Sequence, residues 1–142
     1  MRRMNPPQTR QRTLDLIAQG VEAFNSGDID GMLAPMHPDV EFQPLRAVLE
    51  GSVYHGHEGF RRWLEDMAED WQQFDLDVIE VSEPGANCVL VHGRVHARGR
   101  TSGVELDATA AWLCELQDGL ISRLRFYRDV AAALDAAGDI SR

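Results

Sequence analysis

The apolar residues of this chain change their period once, and that change fixes most of what it can fold into. Leu14, Ile17, Ala18, Val21 and Phe24 recur at helical spacing, as do Ile29, Met32 and Leu33, and later Phe60, Trp63, Leu64 and Met67. Between the second and third sets, Val40 to Leu45 reads as a strand, followed by a loop-like stretch through Gly51. After Trp71 the period becomes two and stays two. Strands are expected near 74–83, 87–99, 103–117 and 119–128, punctuated by Pro84-Gly85, Ser102-Gly103 and Asp118-Gly119. Asp-Gly between two apolar runs is a strong hairpin signal. Asn25-Ser26-Gly27-Asp28 stops the first helix, Asp28 caps the second, and His37-Pro38 ends it. Val130 to Ala137 reads as a short closing helix ended by Gly138. Helices segregated from a meander of strands define an α+β class.

With 142 residues, 44% of them hydrophobic, the chain suits one domain with a real core. Residues 1–12, with Pro6-Pro7, are expected to form a flexible N-terminal tail, and 13–142 the domain. No window approaches the ~18 consecutive apolar residues needed to span a bilayer. Met1-Arg2-Arg3 is not followed by an apolar run, so no secretory signal is expected and a cytoplasmic location is the default. A net charge of −9 argues against a nucleic-acid partner, which leans on basic surface. The arginines at 94, 98 and 100 read as a solvated strand face, and Cys88 and Cys114 as buried free thiols.

The element order, together with particular phrases, resembles the SnoaL-like polyketide cyclase family of the NTF2-like superfamily. The phrases are Phe24-Asn25-Ser26-Gly27-Asp28, His37-Pro38-Asp39-Val40-Glu41-Phe42, Tyr54-His55-Gly56-His57-Glu58-Gly59, Asp118-Gly119-Leu120-Ile121 and Tyr127-Arg128-Asp129. They span residues 13–137. The resemblance implies a cone-shaped barrel: a curved mixed or antiparallel sheet with three helices enclosing an apolar pocket. It implies a small hydrophobic ligand and, in enzymes of the group, cofactor-free acid–base chemistry: epoxide hydrolysis, isomerisation, dehydration or cyclisation. The alternative is a non-catalytic ligand-binding or dimeric interaction module, since the superfamily holds both.

Strand alternation separates two faces. Val89, Val91, Val95 and Ala97 share one, and Leu90, His92, Arg94, His96 and Arg98 the other. Leu106, Ala108, Ala110, Trp112 and Cys114 share a face opposite Glu105, Asp107, Thr109 and Glu115. Which face is concave is open at this stage. The resemblance to epoxide-hydrolase-like members lays Arg94, His96 and Asp129 on the catalytic positions, with His96 where a second carboxylate would stand. Against that, Asp129 directly precedes Val130-Ala131-Ala132-Ala133, a natural helix-cap context. An isomerase-like base position falls on Gln43, which takes no proton at neutral pH, and its donor-acid position on Trp112. Asp107, Glu41 and Asp129 are the carboxylates considered for cyclase chemistry, and His92 or His96 for dehydration.

No metal is expected: residues four apart on a strand, as His92 and His96 are, lie ~13 Å apart. His57 is explained by the helix-opening phrase. No cofactor is expected either. Phe24, Phe42, Gln43, Trp63, Met67, Trp112 and Phe126 are the expected ligand-lining residues, with Trp63 and Trp112 set to face each other around a flat apolar molecule. Leu113, Ile121 and Val91 on an exposed sheet face would need cover, which suggests a homodimer.

Overall fold

The computed structural model describes residues 6–44 and 53–140. Helix α1 (Pro6–Ser26) and α2 (Ile29–Leu33) precede β1 (Met36–Gln43) and the two-residue β2 (Tyr54–His55). Then follow α3 (Gly56–Asp70), β3 (Trp71–Gly85), β4 (Cys88–Gly99), β5 (Glu105–Gln117), β6 (Leu120–Tyr127) and α4 (Val130–Ile140). The six strands form one sheet in the order β2-β1-β6-β5-β4-β3. All pairs are antiparallel except β1 with β6, so the sheet is mixed. Register shifts in β3, β5 and β1 bend it, as an extra residue on one strand does.

Most boundaries follow local chemistry. Asp28 accepts from the Gly31 amide at 3.1 Å and caps α2 as expected. Asp118 (φ 54°) and Gly119 (φ 80°) both occupy the left-handed region, the geometry of the tight turn that matches strand twist. Four boundaries differ from the sequence reading. α4 runs through Gly138, expected to end it, to Ile140. α1 begins at Pro6, so residues 6–12, expected in the tail, are helical; proline suits a first helical turn because its missing N–H has no partner there. β1 begins at Met36 and runs through His37-Pro38, expected to end α2; Pro38 falls where the register to β6 shifts. β3 continues through Pro84-Gly85, tolerable on an edge strand, and the turn comes at Ala86-Asn87. The strand end expected at Leu45 and the loop through Gly51 lie outside the described residues. The closing helix forms as expected and brings the helices among the described residues to four.

The helices divide between the two faces of the sheet. On the inner face Ile17 of α1, Phe60 and Trp63 of α3, and Met32 and Leu33 of α2 bury against Val40, Phe42, Val89, Val91, Cys114 and Ile121. On the outer face α4 lays Ala133 and Ala137 over Cys88, Leu90, Ala111 and Leu113. Alanines let that helix approach closely. Leu113 beneath it is fully buried, worth about 1.5–3 kcal/mol. Leu113, Ile121 and Val91, expected to need a second copy as cover, are therefore already buried within one chain. Both cysteines are buried and free, as expected.

The phrase Tyr54-His55-Gly56-His57 ties three elements together. Tyr54 donates its hydroxyl to Asp66 of α3 at 2.9 Å. The His57 ring nitrogen Nε2 meets the Met36 carbonyl of β1 at 3.0 Å, so His57 ties α3 to the sheet. Asn25 ties α1 to β3 through the Leu76 backbone.

Candidate functional site

Gly93 identifies the inner face. A Cβ placed on it would stand 3.1 Å from the Trp112 ring and 3.0 Å from Leu76. Trp112 of β5 thus lies across β4 at a residue with no side chain to obstruct it. Cross-strand partners share a face, and Gly93 pairs with Val78 and Ala110, Val95 with Leu76 and Ala108, Ala97 with Phe74 and Leu106. Over this stretch of β3, β4 and β5 the inner face carries no charged side chain. At both ends of the stretch it is incompletely covered. Val78 and Leu106 are 40% and 39% exposed, and Trp112 and Phe126 are only partly buried.

Two aromatic groups stand on this side. Trp63 stacks on Phe24 with ring centres 5.9 Å apart and packs edge-on to Phe42 at 4.7 Å, with Phe60 at 5.4 Å. Trp112 packs edge-on to Phe126 at 5.9 Å. Among the described residues no ring–ring contact joins the two groups. Met67 packs against the same core from α3. Of the seven expected lining residues, six therefore share the inner side. Gln43 does not: it is the register partner of Arg125, alternate to the Phe42–Leu124 pair, and so belongs to the outer face.

The Trp63 indole Nε1 is buried with no hydrogen-bond partner. Leaving a buried donor unpaired costs about 1–3 kcal/mol. Nothing in the sequence marks this group, because pattern shows a tryptophan on an apolar face but not where its N–H points. Gly93 did carry a signal: an isolated glycine inside a strand pattern marks a close approach.

The expected catalytic residues lie elsewhere. Arg94 and His96 project from the outer face, alternate to Val95. Arg94 Nε donates to Asp107 Oδ1 at 2.6 Å. His96 stands 3.2 Å from Asp77 and 3.7 Å from Asp107. Arg98 faces Glu105 at 3.7 Å. Together they form a row of cross-strand polar contacts across β3, β4 and β5. Asp129 accepts from the Ala132 amide at 2.8 Å, the bond of a helix N-cap. Glu41 pairs with Arg123 at 3.4 Å, and Glu115 meets both Arg123 and Arg125 at 3.3 Å. Burial works against the Arg123 charge, but Glu115 and Glu41 outweigh it and hold the guanidinium more firmly protonated. Glu41, Glu115 and Arg123 border an outer cleft of about 280 Å³ with His37, Asp39 and Ser122. Among the described residues no cluster of His, Cys, Asp and Glu is arranged to hold a metal ion. No described helix is long and apolar enough to cross a membrane.

The model of the SnoaL-like domain family matches residues 17–124. No curated protein matches the chain. Among solved structures, TerC co-crystallized with polyporic acid superposes with a TM-score of 0.75 at 23% identity, over 85% of this chain and 94% of that one. An NTF2-like protein of Burkholderia pseudomallei gives 0.75 at 18% identity, over 87% and 95%. A candidate polyketide cyclase of Xanthomonas campestris pv. campestris gives 0.73 at 24%, over 89% and 97%. The fold is NTF2-like.

Proposed function

Because the chain belongs to the SnoaL-like domain family, we propose that it binds a small, flat, apolar molecule on the inner face of its sheet, between the Trp112–Phe126 pair and the aromatic group around Trp63. The observation that carries this reading is the division of the inner aromatics into two groups that share no ring–ring contact, beside apolar residues left partly exposed. Apolar concave surfaces with few polar groups are where small ligands bind. TerC, of the same fold, was co-crystallized with polyporic acid, which supports a small organic ligand. The acid–base turnover implied by the resemblance needs a proton-transfer group beside that ligand. Arg94 and His96 on the other face, and Asp129 as a helix cap, make binding the reading the geometry favours.

The test is a fluorescence titration with flat polycyclic ketones and hydrocarbons, run alongside Trp112→Ala, Phe126→Ala and Arg94→Ala. Saturable binding that both aromatic variants weaken at least tenfold, and that Arg94→Ala leaves unchanged, supports the inner-face site. No saturable binding by the wild type overturns it and turns attention to a protein partner. Incubation with enones and epoxides in the same series, followed by product analysis, decides between a binder and an acid–base enzyme.

A further inference from the structure

Two buried side-chain polar atoms among the described residues lack a partner, Trp63 Nε1 and Arg125 Nε. The second is accounted for. The Arg125 guanidinium already donates to Glu115 at 3.3 Å and lies over the Tyr127 ring at 5.8 Å, so one idle N–H among five is a minor loss. Trp63 has a single donor and it is idle. The residue is 7% exposed, so water does not satisfy it by exposure. Its ring neighbours are Phe24, Phe42 and Phe60, none of which accepts a conventional hydrogen bond. A fourth phenylalanine would fill such a cluster without stranding a donor, yet the chain places an indole there. Buried polar groups in native proteins are nearly always paired, and each exception calls for an explanation.

Resting on the inner-face binding reading, we propose that the Trp63 indole N–H is the polar anchor of the site and selects ligands that bring a carbonyl oxygen into the apolar interior. The ligand class is then narrower than flat and apolar: it is the aryl ketone, quinone or enone, whose oxygen accepts one N–H while its rings meet the aromatic walls. A hydrocarbon of the same outline fills the same space and leaves the donor stranded. Discrimination comes from that difference, because a site built to hydrogen-bond one group disfavours the analogue without it.

The experiment compares 9-fluorenone with fluorene, which share a tricyclic outline and differ in the carbonyl. Wild type is expected to bind fluorenone about tenfold more tightly, the value of one net hydrogen bond. Trp63→Phe keeps a ring at the position and is expected to bring the ratio to about one, mainly by weakening fluorenone. In wild type labelled with nitrogen-15, the Trp63 indole resonance should move downfield with fluorenone and not with fluorene. Should Trp63→Phe fail to fold, this shift decides alone, the resonance being assigned through its contacts to the Phe42 ring. Equal binding of the two ligands by wild type, or a preference that survives in Trp63→Phe, overturns the anchor while leaving the apolar site standing. An indole resonance unmoved by bound fluorenone overturns it likewise. Failure of wild type to bind either ligand overturns both readings.

Discussion

The side chain of Asn25 grips both backbone polar groups of Leu76, its Nδ2 donating to the carbonyl at 2.8 Å and its Oδ1 accepting from the amide at 2.9 Å. The amide of asparagine has the same donor–acceptor pair as a peptide unit. Asn25 therefore imitates one residue of a neighbouring strand at the free edge of β3. An unpaired edge is a template for another chain, and here α1 occupies part of it.

Replacing Asn25 by alanine removes both bonds and reopens the edge. The expected cost is about 1–2 kcal/mol, two hydrogen bonds of modest net worth in a partly exposed place. Urea denaturation followed by far-ultraviolet dichroism measures it, and light scattering at rising concentration should show the variant self-associating first. An unchanged midpoint would mean that water replaces the side chain without loss.

Asp129→Ala should cost about 0.5–2 kcal/mol through loss of the α4 cap, with ligand affinity at the inner face unchanged. Asp129→Asn should retain most of the stability. Arg94→Ala and His96→Ala disturb only half-exposed contacts with Asp107 and Asp77, so each is expected within about 1 kcal/mol of wild type. A loss of ligand turnover in any of the three, at unchanged stability, would return them to the chemistry.

Alkaline pH should weaken the fold through Cys114. Burial pushes its thiol up from 9.0 to about 12, with a smaller contribution from Cys88. Between those values the unfolded chain releases the proton and the folded chain keeps it. The unfolded state is thereby favoured as pH rises, and stability present below pH 9 is lost at up to about 1.4 kcal/mol per pH unit. Cys114→Ala should flatten this part of the profile of unfolding free energy against pH. Below pH 9 both thiols of the native protein should resist a disulfide reagent that labels them readily in denaturant; rapid native labelling would contradict their burial.

The sheet was legible in this sequence because alternation needs only neighbouring residues to express itself, and Asp118-Gly119 marked its last hairpin. Helix α2 was legible in Asp28 for the same reason. The boundaries at Pro38 and Pro84 misled because proline excludes only certain hydrogen bonds. A bulged stretch of β1 and a free edge of β3 do not use those bonds, and only the assembled sheet reveals that. Phe24, Phe42, Trp63, Met67, Trp112 and Phe126 were grouped by their apolar periodicity, and the structure has them on one side of the sheet. Gln43 was misplaced by one step of the pleat, which turns a side chain to the other face. Arg94 and His96 were drawn in by family correspondence, although their strand faces could be separated and not oriented from sequence. The concave side is fixed by what packs where, Trp112 on Gly93 and α4 on Leu113, and those contacts cross long stretches of chain.

Strand β4 has a further consequence in the way its two faces part company. From Cys88 to Val91 four successive residues are buried, whereas from His92 onward inward and outward positions alternate. Val95 and Ala97 face the inner side while Arg94, His96 and Arg98 face the outer, one residue out of step. Substitutions in one series leave the other in place, so selection can rewrite what this protein touches on its outside without altering how its inner side packs. A single strand thus carries two independently inheritable surfaces.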